Sequence, residues 1–259
     1  MKILVPVKQV VSLDEDFALS GDGSVAADEL DWQLNEGDNF SLEAGLRLSV
    51  GEEGEVVVVT VGDERAEEGL LACLAKGADR AIRVWDESLH GADALAVASV
   101  LAVVARAEQP ELILCGVQSS DAADAATGIA LAGLLELAHV AVVNSIERDG
   151  RRLTVQRELE GATVELLGIS LPCLLTVQTG INEPRYATLR AIKQARAKPL
   201  TIFGLDELGL DPAAVAASAG SRTMRLREHE QRTSATLLHG PPAEVAARIA
   251  EIVREAMRG

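Results

Sequence analysis

The chain has 259 residues, 48% of them hydrophobic but only 2% aromatic, so it can fill a large α/β core and must build it from Val, Leu, Ile and Ala. A formal charge of −16 repels nucleic-acid phosphates and anionic lipid surfaces, which argues against a nucleic-acid or membrane binder but not against a pocket for one small nucleotide. Cys73, Cys115 and Cys173 lie far apart in apolar stretches and read as small buried hydrophobes, the four histidines show no metal-ligand spacing, and no apolar run is long enough to cross a bilayer. With no leader-like segment after Met1, the expected address is the cytoplasm, and no metal is expected.

In chain order, "KILVPV" at Lys2–Val7 reads as a first strand, followed by a helix over "SLEAGLRLSV" at Ser41–Val50. "EVVVVTVG" at Glu55–Gly62 is a second strand, Glu64–Gly77 a second helix with Gly77 as its C-terminal cap, and "AIRVW" at Ala81–Trp85 a third strand. A helix ending at Pro110, the strand "ELILCG" at Glu111–Gly116 and a helix over "AADAATGIALAGLLEL" follow. Continuous apolar strands alternating with helices predict a doubly wound, mostly parallel α/β sheet of the Rossmann-like kind. After His139 the pattern changes. Asp149-Gly150 between two extended segments is a hairpin signal, and "ATVELLGISLPCLLTV" adds more strand, so an antiparallel extension joins the sheet. Residues 1–200 form the expected nucleotide-binding domain. Residues 201–259 read as an extended arm ending in an amphipathic helix, with Val245, Ile249, Ile252 and Val253 at helical spacing.

In such sheets ligands collect beyond the carboxyl ends of the strands, where strand order reverses. Pro6, the "LNEGDN" stretch at Leu34–Asn39, Val61 and "CGVQSSDAADAATG" at Cys115–Gly128 all qualify. Gly116 lets the chain turn off its strand, Ser119, Ser120 and Asp121 read as helix N-cap residues, and free N–H groups at that helix start would welcome a phosphate. Asp121 and Asp124 are poor company for a phosphate and are expected to cap the helix or point elsewhere. An ordinary capped strand–turn–helix explains the stretch equally well. Neither G-x-G-x-x-G after the first strand nor a P-loop is present, and no nucleophile–base pair stands out. A nucleotide-binding stress or signalling domain stays open on these residues. An ATP-hydrolysing enzyme of similar fold would want a phosphate loop such as SGGxDS, which is absent.

"ILVPVKQ", "LNEGDNFSLEAGLRL", "AKGADRAIRV", "GVQSSDAADAATG", "QRELEGATVEL" and "INEPRYATLRAIKQA" occur in the order and at the spacing of the electron transfer flavoprotein β subunits, which the chain resembles along about its whole length. The resemblance implies a heterodimer with an α subunit that holds most of one FAD, a subunit without catalytic activity alone, and electrons passed from primary dehydrogenases toward a membrane-bound electron transfer flavoprotein–quinone oxidoreductase. It further implies a structural AMP contacted by Pro6, by Asn35, Glu36, Gly37 and Asp38, by Val61, and by Gly116, Val117, Gln118, Ser119, Ser120, Asp121, Ala122, Ala123, Asp124, Ala125, Ala126 and Thr127. Some relatives carry a second FAD there and bifurcate electrons. Their loop resembles "DGDTAQVGP", with valine-glycine where this chain has Thr127-Gly128, so the AMP type is expected. The "GVQSSD" wording is similar to members that serve trimethylamine-type dehydrogenases.

The same resemblance makes residues 180–195 a recognition loop for the dehydrogenase. Leu189 matches its anchoring leucine, with Arg185, Tyr186 and Lys193 beside it. Without the resemblance the segment reads as a capped loop-to-helix transition with solvated charges. Glu158 in "QRELEG" matches a glutamate that contacts the partner's mobile FAD domain, and the arm with its final helix would clasp the α subunit.

Overall fold

The computed structural model describes residues 1–12, 31–51, 54–224 and 236–258. Strands β1 (Lys2–Pro6), β4 (Glu55–Val61), β5 (Arg80–Val84) and β6 (Leu112–Gly116) fall where the apolar runs predict them. Between the first two lies a short antiparallel pair, β2 (Gln9–Val11) with β3 (Trp32–Leu34). Helices α1 (Glu36–Leu48), α2 (Ala66–Lys76), α3 (Ala94–Glu108) and α4 (Thr127–Leu134) alternate with the strands. Helix α1 starts five residues earlier than "SLEAGLRLSV" suggests, because packing against the sheet carries Gly37, Asp38 and Asn39 into a helical first turn. Gly77 ends α2 at φ 133°, a conformation L side chains rarely adopt.

Then come β7 (Ala138–Asp149), β8 (Arg152–Leu159), β9 (Thr163–Ser170) and β10 (Cys173–Val177). The expected hairpin is present with its two-residue turn at Gly150 and Arg151, one position later than Asp149-Gly150. Helix α5 (Leu189–Ala195), strand β11 (Leu200–Phe203), α6 (Pro212–Ala217) and α7 (Pro242–Ala256) complete the described chain.

The main sheet has nine strands in the order β11-β5-β4-β1-β6-β10-β7-β8-β9. It is parallel from β11 to β7 and antiparallel through β8 and β9. This is the doubly wound α/β sheet with an antiparallel extension. The expected boundary at residue 200 falls on β11, which pairs with β5, and Leu205 and Val215 are buried beyond it. The arm therefore begins by closing the sheet edge, and residues 225–235 of it lie outside the described residues. Lys198 holds that return in place, its ammonium donating to the carbonyls of Leu74 at 3.0 Å and Ala78 at 2.6 Å.

Period-two alternation divides the core into two layers. Ile3, Val5, Val56 and Val58 face α1, α2 and α5, while Leu4, Val57 and Val59 face α3, α4 and α6. Cys73, Cys115 and Cys173 are all buried, and burial pushes each thiol up. Among the described residues no helix is long and apolar enough to cross a membrane, and no cluster of side chains is arranged to hold a metal. Leu174, fully buried in β10, fills the second layer. Leu174→Ala should cost about 2–5 kcal/mol in chemical denaturation, with the denaturant slope unchanged.

Candidate functional site

The chain enters the sheet at β1, moves outward through β4 and β5, then returns through α3 to place β6 on the other side of β1. Beyond the carboxyl ends of these strands lies a pocket of about 410 Å³, within the size range of small-molecule sites. Pro6, Asn35, Asp38, Val61, Gly116–Ser119, Asp121, Ala122 and Asp124–Thr127 line it. Of the expected contacts, Glu36, Gly37, Ser120 and Ala123 are not in its lining. Gly37 sits behind the wall, packed against Gly116 and the Gln118 carbonyl.

Two side chains at the start of α1 hold the pocket together. The Asn35 side-chain amide donates to the Gln118 carbonyl at 3.1 Å, and its oxygen accepts from the Ser120 N–H at 3.2 Å. Asn35 thus occupies the N-cap position of α1 but spends its side chain on the loop after β6. The buried Asp38 carboxylate accepts from the Lys8 N–H at 2.8 Å. Burial pushes the Asp38 carboxyl up to about 7, against hydrogen bonds from Lys8, Asn35 and Gly116. Gly116 is required here: a Cβ would run into the Asp38 carboxylate and lie 3.0 Å from the Gly37 carbonyl carbon.

The loop after β6 corrects one expectation. Helix α4 starts at Thr127, not near Ala122, and its N-cap is Ala126 without a side-chain cap. Ser119, Ser120 and Asp121 therefore do not cap it. They belong to a ten-residue irregular stretch between Gly116 and Thr127. Ala123 and Ala125 both sit in the left-handed region at φ 54° and 52°. Left-handed residues in such a stretch turn successive N–H groups toward a common concavity. Asp121 points away from that role. It pairs with Lys8 Nζ at 2.7 Å, and although burial opposes ionisation, Lys8 and the Ser119 hydroxyl hold its carboxyl below the usual carboxylate range. Sequence reading missed Lys8, Trp32, Arg65 and Trp85 in the lining. The first three come from segments with no ligand motif. The available signal was scarcity, since the chain has only two tryptophans.

A separate surface lies at residues 180–195. Asn182 donates to the Phe40 carbonyl at 3.0 Å, and Arg47 donates to the Glu183 carbonyl at 3.1 Å. Arg185 grips the buried Glu43 carboxylate through Nε at 2.7 Å and a second nitrogen at 3.2 Å. Burial raises the Glu43 carboxyl, but hydrogen bonds from Arg185 and Arg47 outweigh it and leave it below its ordinary value. Beyond this anchor Thr188 caps α5 through the Ala191 N–H. Tyr186 is 97% exposed, Leu189 81% and Ile192 49%. Lys193 is exposed beside them. Arg185 is thus an internal brace, whereas Tyr186 braces nothing and stands out into solvent with Leu189.

Glu158 is exposed on β8, paired with Val164 of β9. Alternation places it on the same sheet face as Val164 and Leu166, the latter 69% exposed, and opposite to buried Leu153 and Val155. Helix α7 has no buried residue, and Ile249, Ile252, Val253 and Met257 are exposed.

The molecule is a doubly wound α/β protein with a cavity of about 410 Å³ at its switch point and several uncovered apolar surfaces at a distance from it. Residues 22–208 match the electron transfer flavoprotein domain. The chain is 44% identical over 260 residues to the electron transfer flavoprotein subunit beta of Methylophilus methylotrophus, covering 98% of each chain. It is 39% identical over 218 residues to the subunit beta of Bradyrhizobium diazoefficiens, covering 83% of this chain and 86% of the other. It is also 34% identical over 221 residues to the caffeyl-CoA reductase-Etf complex subunit CarD of Acetobacterium woodii, covering 85% and 84%. The chain belongs to the electron transfer flavoprotein family, as a β subunit, and its role is in electron transport.

The raised Asp38 carboxyl has a pH signature. Between its ordinary value of 3.8 and about 7 the folded chain binds a proton that the unfolded chain has released. Stability from this group is therefore full below 3.8 and falls as pH rises toward 7. Asp38→Asn should remove that fall, so the wild-type and variant stabilities diverge across this window in pH-dependent urea unfolding.

Proposed function

We propose that this chain is the β subunit of a heterodimeric electron transfer flavoprotein that holds an AMP in the switch-point pocket, with FAD carried mainly by the α subunit. Electrons pass from a primary dehydrogenase to that flavin and on toward a membrane-bound quinone oxidoreductase. The observation that carries the reading is the pocket itself. It lies at the strand ends where adenine nucleotides bind in doubly wound sheets, and its volume is near the low end of ligand sites, which suits a mononucleotide. Backbone N–H groups from Gly116 to Thr127 would meet the phosphate. Asn35 and Asp38 hold that loop against α1, and Lys8 neutralises Asp121. Within the proposal the AMP is structural, and this chain supplies no redox group.

The docking surface is Leu189 with Tyr186, Ile192 and Lys193. One exposed leucine entering an apolar pocket gains about 1.5–3 kcal/mol, which suits a partner that binds, passes an electron and leaves. The Glu43–Arg185 pair supports this use because it stiffens the base of the loop and lowers the ordering cost of docking. Glu158 with Val164 and Leu166 gives the FAD-bearing domain of the α subunit a seat, and α7 presents its exposed apolar stripe to the same subunit.

Denaturing the purified heterodimer and identifying what is released tests the cofactor reading. One AMP and one FAD per heterodimer are expected. Two FAD and no AMP would assign the pocket to a second flavin and overturn it. Leu189→Ala should weaken dehydrogenase docking about tenfold in reduction kinetics, with nucleotide content and heterodimer intact. Unchanged kinetics would remove Leu189 as the anchor.

A further inference from the structure

This inference rests on the nucleotide reading of the pocket and adds to it a residue that neither the sequence motif nor the family match assigns. Trp32 belongs to β3, in the small two-stranded sheet flanking the pocket, and lines the cavity from there. Its ring is half-buried. The guanidinium carbon of Arg65 stands 5.1 Å from the ring centroid, in cation–π range. Arg65 comes from a different part of the cavity lining, the turn between β4 and α2. It is itself fixed by Asp63, whose carboxylate accepts from Arg65 Nε at 3.0 Å and from the Arg65 backbone N–H at 3.0 Å. Asp63, Arg65 and Trp32 therefore form a braced span across two walls of one pocket.

The composition makes this placement informative. The chain has two tryptophans, one tyrosine and three phenylalanines, and both tryptophans, Trp32 and Trp85, line this cavity. A protein that builds its core almost without aromatics has put its largest flat surfaces around one pocket. Flat apolar rings recognise flat heteroaromatic ligands, and stacking between a base and an aromatic side chain is the general way to hold a base without reading its edges.

We propose that Trp32, braced by Arg65, is the aromatic wall against which the base of the bound nucleoside monophosphate packs, and that it sets how long the nucleotide stays. The backbone N–H groups of the loop after β6 take the phosphate end, and Trp32 takes the other. Arg65 acts through Trp32. Its charge is already engaged by Asp63, so its contribution is to keep the ring in place rather than to bind phosphate.

The test uses the intact heterodimer. Bound tritiated AMP is chased with unlabelled AMP, and fluorotryptophan confined to this chain supplies two fluorine NMR signals, assigned with Trp32→Phe and Trp85→Phe. Trp32→Ala should speed AMP loss roughly tenfold, Arg65→Ala less, and Trp32→Phe should stay within about threefold of wild type. The Trp32 signal should move when AMP is removed. AMP loss from Trp32→Ala at the wild-type rate, or a Trp32 signal indifferent to AMP, would overturn the assignment while leaving the nucleotide reading standing. A wild-type heterodimer that holds no adenylate would sink both. If Trp32→Ala does not fold, Arg65→Ala and the Trp32 signal decide: an Arg65→Ala chase at the wild-type rate with an unmoved signal overturns the proposal.

Discussion

The structure depends on how three separate segments are tied at the switch point. Helix α1 approaches the strand ends with Asn35 and Asp38 at its first turn. Asn35 bonds the loop after β6 twice, while Asp38 takes the Lys8 N–H of the chain leaving β1. Only glycine at position 116 lets the loop come that close. The cost of this arrangement is a largely buried carboxyl group, and burial favours its protonated form. A ligand entering here meets walls whose positions are already fixed, so little of its binding free energy is lost to ordering the protein.

A second buried carboxylate does comparable work on the opposite side of α1. Glu43 faces Arg47 on its own helix and Arg185 from a segment 142 residues later. Two guanidiniums share one carboxylate and hold Glu43 below its ordinary value, whereas deeper burial pushes Asp38 up, and their partners add to the contrast. Asp38 is served by backbone and amide dipoles, Glu43 by full positive charges. Because α1 carries both, the pocket and the exposed Leu189 surface are mounted on one rigid element. They are nonetheless different surfaces with different chemistry.

The parallel core was legible because both faces of its strands are covered, which writes each strand as an unbroken apolar run: "ILV", "VVVV", "LIL". Strand β11 was not, since Thr201 and Ile202 are exposed on a sheet edge and Thr-Ile-Phe is too short to show a period. Helix α1 was read late because Gly37, Asp38 and Asn39 are weak helix formers, and tertiary packing overrides that preference. The loop after β6 reads as a candidate site, but with a cap it lacks. Ser-Ser-Asp is a good cap in isolation, and nothing local reveals that Asn35 and Lys8 have claimed those residues instead. Residues such as Lys8, Trp32 and Arg65 reach the pocket from the β1–β2 connection, from β3 and from the β4–α2 turn, so no spacing in the sequence links them.

Helix α7 has a consequence for the cell as well as for the complex. Its apolar stripe is open along its length, with Ile249, Ile252 and Val253 about half exposed and Met257 more so. A contiguous greasy face of this kind is tolerated only while something covers it. If α7 docks on the α subunit as proposed, a copy without that partner carries an uncovered apolar face prone to self-association. On that reading, balanced supply of the two polypeptides would keep this face covered.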